Sequence, residues 1–215
     1  MLIIITIILV GIFLLNFFLY WIIFLATERK ISKFWDIYTI IYLTIWCSSI
    51  VLIPIITSSF FGSIFGTKSY FQELSFRVLF SILGVVLVIL ALKFGNSVMK
   101  INKLRGLAKG KHQLITNGPY KIMRHPMYTS WAALFLGLAL IFDSFIALII
   151  TPFFLFLLEL EGFLEEKYLL IPQFGEKYEK YKKKTTSRMF PTPYNILLIL
   201  IIIFIVYVGV LNYFT

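Results

Sequence analysis

The first charged side chain in this 215-residue chain is Glu28. Residues 2–26 before it are almost entirely apolar, and crossing a bilayer takes roughly 20 such residues. Inside a bilayer every backbone N–H and C=O must find its partner within the protein, which leaves helices and closed barrels as the spanning structures. A cleaved signal would carry a basic start and a shorter apolar core. This run has neither, so it is expected to remain as a membrane helix.

Five more apolar runs follow, at 37–61, 75–92, 127–142, 145–158 and 194–214, with Pro54 an expected kink in the first of them. The chain is 60% hydrophobic with 23 Phe, and its mean hydropathy is +0.93. Soluble domains sit nearer half apolar. The expected fold is therefore all-α: a polytopic membrane bundle of about six transmembrane helices, in one membrane domain spanning 1–215. Within it, 1–92 hold three N-terminal spans, 93–193 a core built on the helical hairpin 127–158, and 194–215 a C-terminal span. The hairpin turns at Asp143 and Ser144. Its arms are short for a bilayer of roughly 30 Å, so the fifth helix is expected to continue past Glu159 into the interface.

Charge sets the orientation. Residues 93–126 carry eight Lys/Arg and no acid, and 159–193 carry seven Lys/Arg with six Glu. A hairpin between these segments puts both on one side, and basic loops face the cytoplasm. The net charge of +10 follows from this bias. No soluble module is present to carry nucleic acid, so the expected use of the charge is attraction to anionic head groups. The lone Cys47 allows no intrachain disulfide and gives no metal-ligand spacing; no metal site is expected. A composition rich in Ile, Lys and Phe points to a prokaryotic plasma membrane.

Between the two halves stands TNGPY, residues 116–120, followed by RHPMY, residues 124–128. Asn-Gly-Pro is a turn signal. The residue before a proline avoids the α region, so His125 should be extended, and Pro126 suits the first turn of a helix. Such a helix start favours an anionic group. Tyr120 and Tyr128 add flat amphipathic faces able to stack on a base or flank a cation. Taken singly, these residues suit a membrane anchor. The combination is read as a site because a second polar cluster, 159–184, lies where the fifth helix leaves the membrane. There Glu159, Gly162 and Glu166 share one helix face, and Glu161 and Glu165 another. The hairpin brings His125 and Glu166 to the same side, so a shared pocket is expected.

HQLITNGPYKIMRHPMY (112–128), EEKYLL (165–170) and FGEKYEKY (174–181) together resemble the isoprenylcysteine carboxyl methyltransferase family, and the membrane phospholipid N-methyltransferases share part of the pattern. The resemblance covers residues 93–191. It implies an integral-membrane enzyme that uses S-adenosylmethionine without a Rossmann domain, with a cytoplasmic cofactor-binding loop and an interfacial helix. By position it implies cofactor contacts from His112, Gln113, Leu114, Ile115, Tyr120, His125, Pro126, Met127, Tyr128 and Glu166. A lipid or lipidated acceptor would enter sideways from the membrane.

One position departs from the family. Isoprenylcysteine methyltransferases carry an arginine four residues before the glutamate, and here that position is Gly162, beside Glu161. Loss of that charge removes the natural partner of a carboxylate acceptor. An amine or neutral lipid head group is therefore expected, with Glu159, Glu161 and Gly162 on the acceptor side; Arg124 keeps the carboxylate reading open. Two rivals remain at this stage. One is an NADPH-dependent sterol or steroid-type membrane reductase, which carries a similar Arg-His-Pro block. The other is a non-catalytic lipid-binding scaffold.

Overall fold

The uncharged runs become helices. In the computed structural model, which describes residues 2–27, 32–58, 74–107 and 113–193 together with single positions from 196 to 207, α1 runs Leu2–Thr27 and α2 runs Ser32–Ile56. Pro54 lies inside α2, which continues past it to its end. Helix α3 spans Leu74–Leu107, α4 Pro126–Ile141 and α5 Phe145–Glu165. A π-helical turn, Glu166–Leu170, leads through the short α6, Ile171–Phe174, into α7, Glu176–Lys184. Among the described residues four stretches are long and apolar enough to cross a membrane: Ile4–Leu25, Ile37–Ile56, Arg77–Asn102 and Phe145–Phe174. The apolar α4 is shorter. The molecule is an all-α integral membrane bundle. The expected last span, 194–214, lies largely outside the described residues, as do 59–61 of the expected second.

Helix α3 corrects one expectation. A basic loop was expected from residue 93, yet the helix carries Lys93, Lys100, Lys103 and Arg105 on to Leu107. No proline interrupts 93–107, and Gly95 serves packing, as Gly84 does earlier in the helix. A Cβ built on Gly95 would lie 2.6 Å from Ser130 Oγ, which itself donates to the Ala91 carbonyl at 2.7 Å. One on Gly84 would lie 2.6 Å from the Gly137 carbonyl oxygen. Small residues let α3 and α4 touch backbone to backbone, the packing that joins helices where lipid is as apolar as leucine.

The centre of the bundle is aromatic. Phe13 meets Trp46 edge-on at 4.6 Å, and Phe135 stacks on Phe154 at 4.6 Å, so α1, α2, α4 and α5 share one core. Val86, Ile89 and Leu90 of α3 point outward, as lipid-facing residues do. The hairpin turn is fastened twice. Asp143 takes φ 48° and lies 3.7 Å from Arg77, while Ser144 Oγ accepts from the Ala147 N–H at 3.2 Å as an N-cap. Both ends of the hairpin thereby return to one side of the bundle, where the polar clusters meet.

Candidate functional site

Gly118 adopts φ 58° and opens a single 3-10 turn, Gly118–Lys121. A side chain there would be strained, and its Cβ would also press on Ile101 of α3 at 2.9 Å. The turn is held from two sides: Tyr120 OH donates to Asn102 Oδ1 at 3.0 Å, and Tyr181 OH of α7 donates to the Tyr120 carbonyl at 2.6 Å. His125 then takes φ −123°, ψ 65°, outside the α region as its proline demands, and Pro126 begins α4. The segment after α7 runs back along this stretch. Arg124 N–H donates to the Ser187 carbonyl at 3.0 Å and His125 N–H to that of Arg188 at 2.8 Å.

Two adjacent glutamates grip His125 from either side of its ring. Nδ1 lies 3.2 Å from Glu165 Oε2 and Nε2 lies 3.2 Å from Glu166 Oε1. Burial disfavours a charged imidazole, but the hydrogen bonds and charges of Glu165 and Glu166 outweigh it, and the His125 pKa is pushed up to about 9. With a carboxylate at each nitrogen the ring is an imidazolium. Tyr128 stacks on it, with centroids 5.2 Å apart and planes 3° apart, and donates its hydroxyl to Glu165 Oε2 at 2.9 Å. The π-helical turn begins at Glu166; such turns cluster at functional sites.

Glu166 is 2% exposed and accepts more than histidine. Arg124 Nε reaches its Oε1 at 2.8 Å, and Arg188 Nε reaches the same oxygen at 3.2 Å. Arg124 also donates to the carbonyls of Thr185 and Thr186 at 2.7 and 2.6 Å. Arg188 Nη1 pairs with Glu159 Oε2 at 2.8 Å. Burial lowers the Arg188 pKa, but Glu159 and Glu166 reverse this and raise it. Gly162 leaves no gap: a Cβ there would lie 2.7 Å from Arg188 Cδ and 3.2 Å from His125 Cδ2. On the neighbouring face Glu161 turns toward α1 and α2, accepting from Trp21 Nε1 at 2.7 Å and Tyr42 OH at 2.9 Å.

These elements enclose a cleft of about 160 Å³, or about 660 Å³ with its open mouth. Of the residues singled out in the sequence, Leu114, Ile115, Tyr120, Arg124, His125, Pro126, Met127 and Tyr128 line it. Gln113 is exposed and not part of its lining, and His112 lies outside the described residues. Glu166, Glu159, Glu161 and Gly162 are also absent from the lining. The cleft carboxylate is Glu165, because Glu166 is turned beneath the wall by its two arginines.

Sequence reasoning placed Glu165 in the polar cluster without giving it a contact, and passed over Asn102, Leu170, Phe174, Tyr178 and Tyr181; all six line the cleft. The spacing of Tyr178 and Tyr181, three apart on one face of α7, was a usable signal. Asn102 carried none while α3 was expected to stop at 92. Tyr178 is distinctive: its hydroxyl is buried and has no hydrogen-bond partner among the described residues. Burial raises its pKa, with Glu166 adding to the effect, so it is a neutral donor on a residue that lines the cleft.

Residues 76–177 match the phospholipid methyltransferase family. Over 76 residues the chain is 30% identical to the protein-S-isoprenylcysteine O-methyltransferase of Schizosaccharomyces pombe. That stretch covers 35% of this chain and 32% of the yeast protein, about a third of its length. No solved structure matches the chain.

Proposed function

We propose that this chain is a membrane methyltransferase akin to the phospholipid methyltransferase family that residues 76–177 match, and that it transfers a methyl group from S-adenosylmethionine to a lipid or lipidated acceptor in the membrane. The observation that carries this reading is the network of His125, Glu165 and Tyr128 in the wall of the cleft. It sets a carboxylate and an aromatic face where a cation can rest. Tyr120 and Phe174 offer faces for a base, and the unpartnered Tyr178 hydroxyl offers a donor. These groups suit a ligand that combines a sulfonium, an ammonium and an adenine.

The cofactor, when bound, supplies a methyl group on positive sulfur; that carbon–sulfur bond breaks as the bond to the acceptor forms, and the electron pair stays on sulfur. The protein's part is to hold the two in line and keep water away. His125 fixes Glu165 by a charge-assisted bond, and Tyr128 donates to the same carboxylate oxygen. The side bearing Lys121, Arg124 and Lys182 faces the cytoplasm on this reading, following the basic bias.

For the acceptor we take an amine-bearing or neutral lipid head group. Glu161 supports this: it is a buried carboxylate surrounded by neutral donors and rings, including the pair Tyr20 and Tyr42 stacked at 4.0 Å. The family match and the similar yeast protein are both methyltransferases, which argues against the reductase reading.

The test is methyl transfer from methyl-labelled S-adenosylmethionine to total membrane lipid by the purified protein in nanodiscs. Label in an aminolipid supports the reading. Label only in a prenylcysteine analogue would keep methyl transfer and overturn the amine acceptor, and no label in either would overturn the activity.

A further inference from the structure

Arg188 sits at an unusual place for a cation. Its partner Glu159 belongs to the stretch of α5 apolar enough to cross a membrane. Yet the pair is open to its surroundings: the side chains of Arg188 and Glu159 are 23% and 43% exposed. Charged groups at membrane depth are costly and as a rule face a protein interior or a water-filled cavity. Glu159 opens the polar cluster with which α5 leaves its apolar run, so a half-open ion pair there can meet a charged group arriving at the interface. Phe163, nearly half exposed, lies beneath the guanidinium at 5.9 Å and gives it an apolar rim.

The guanidinium is also incompletely used. Nε is bonded to Glu166 and Nη1 to Glu159, while Nη2 makes no hydrogen bond among the described residues and is not among the buried atoms that lack a partner. Arginine carries five donors in a planar fork that suits two oxygens of one oxyanion. The fork is fixed at its inner end. Its stem crosses α5 over Gly162, where a Cβ would collide with it, and its own carbonyl is held by His125 N–H. The inner edge touches Glu166, the oxygen shared with the cleft histidine. The outer edge is partly open and carries an exchangeable carboxylate.

We propose that Arg188 is the recognition site for an oxyanion on the membrane acceptor, a lipid phosphate or carboxylate, and that Glu159 occupies this site in its absence. The inference rests on the methyl-transfer reading for its purpose, but the binding event does not require turnover. An oxyanion displaces Glu159 from Nη1 and takes up Nη2. An oxyanion held there is separated from His125 by one carboxylate, Glu166.

The test is calorimetric binding of single-chain amphiphiles to the detergent-solubilised protein, with hexadecyl phosphate, palmitate and hexadecylamine as probes. The proposal expects one oxyanion probe to bind and hexadecylamine to be insensitive to Arg188. Glu159→Gln removes the competitor and should tighten oxyanion binding by about three- to tenfold, whereas Arg188→Met should weaken it by about tenfold or more. Arg188→Lys keeps the charge without the fork and should fall between them. Glu176→Gln, a change of equal charge at a largely solvent-exposed glutamate, controls for net charge and should do nothing. Whichever of phosphate and palmitate responds more strongly names the oxyanion. Oxyanion binding that is absent, unaffected by both variants, or weakened by Glu159→Gln would overturn the proposal. Loss of methyl transfer alone, with these binding changes intact, would count only against the activity.

Discussion

Arg124 Nε lies 2.8 Å from Glu166 Oε1, both side chains buried, across 42 residues of sequence. This contact locks the turn-and-helix stretch before α4 to the end of α5. The same oxygen also receives Arg188 Nε and His125 Nε2, each at 3.2 Å. One carboxylate thus balances three donors, and removing it leaves buried charge unpaired. Glu166→Gln is expected to destabilise the fold by about 3–5 kcal/mol, seen as a lower melting temperature in detergent with or without cofactor. Glu165→Gln, one position earlier in the cleft wall, should cost less stability and more cofactor affinity. Equal melting temperatures for the two variants would contradict this division of labour.

The His125 charge makes stability pH-dependent. Its pKa is raised to about 9 in the folded protein, against about 6.5 in an unfolded chain. A raised pKa means that the stabilisation is fully present below about pH 6.5 and is lost as pH climbs through 9. The contribution is on the order of 3 kcal/mol. Melting temperatures between pH 6 and pH 10 should fall more for the native protein than for His125→Gln. Parallel curves would show that His125 is not the titrating group.

The approach of α3 and α4 depends on Gly84 and Gly137. Gly84→Val puts side-chain atoms where a carbonyl oxygen lies 2.6 Å from the Cβ position, and that oxygen is backbone. The helices must separate, at a cost of about 1–3 kcal/mol. The melting temperature should drop, while Gly11→Val, whose Cβ meets nothing within 4 Å, should leave it unchanged.

Tyr178 carries a buried hydroxyl with no partner among the described residues. Tyr178→Phe removes an unsatisfied polar atom, so the ligand-free protein should be as stable as before or slightly more so. If that hydroxyl donates to the cofactor, affinity should fall by about three- to tenfold. Unchanged affinity would take Tyr178 out of the site.

Much of this was legible in the sequence, and the exceptions share a cause. Uncharged runs gave α1 and α2, and Asp143 with Ser144 marked the hairpin. Gly118 and Pro119 marked the turn, and Pro126 the helix start, because backbone restrictions act locally. The end of α3 was missed because its basic tail resembles a loop in charge, while its packing against Ser130 depends on a helix 35 residues away. Choosing between Glu165 and Glu166 needs the helical phase beside a π-helical turn, which spacing alone does not give. Arg188 lies in a non-helical segment without periodicity, and its role follows from Gly162 beneath it. The bonds from Trp21 and Tyr42 to Glu161 span 140 and 119 residues, and no local pattern announces them.

The most direct measurement is calorimetric titration of S-adenosylmethionine and, separately, NADPH into the purified protein in detergent, with His125→Ala and Glu165→Gln beside the native chain. Selective binding of S-adenosylmethionine, weakened in both variants by about tenfold or more, is the predicted result. Binding of NADPH in its place, or S-adenosylmethionine binding indifferent to both substitutions, would contradict the account.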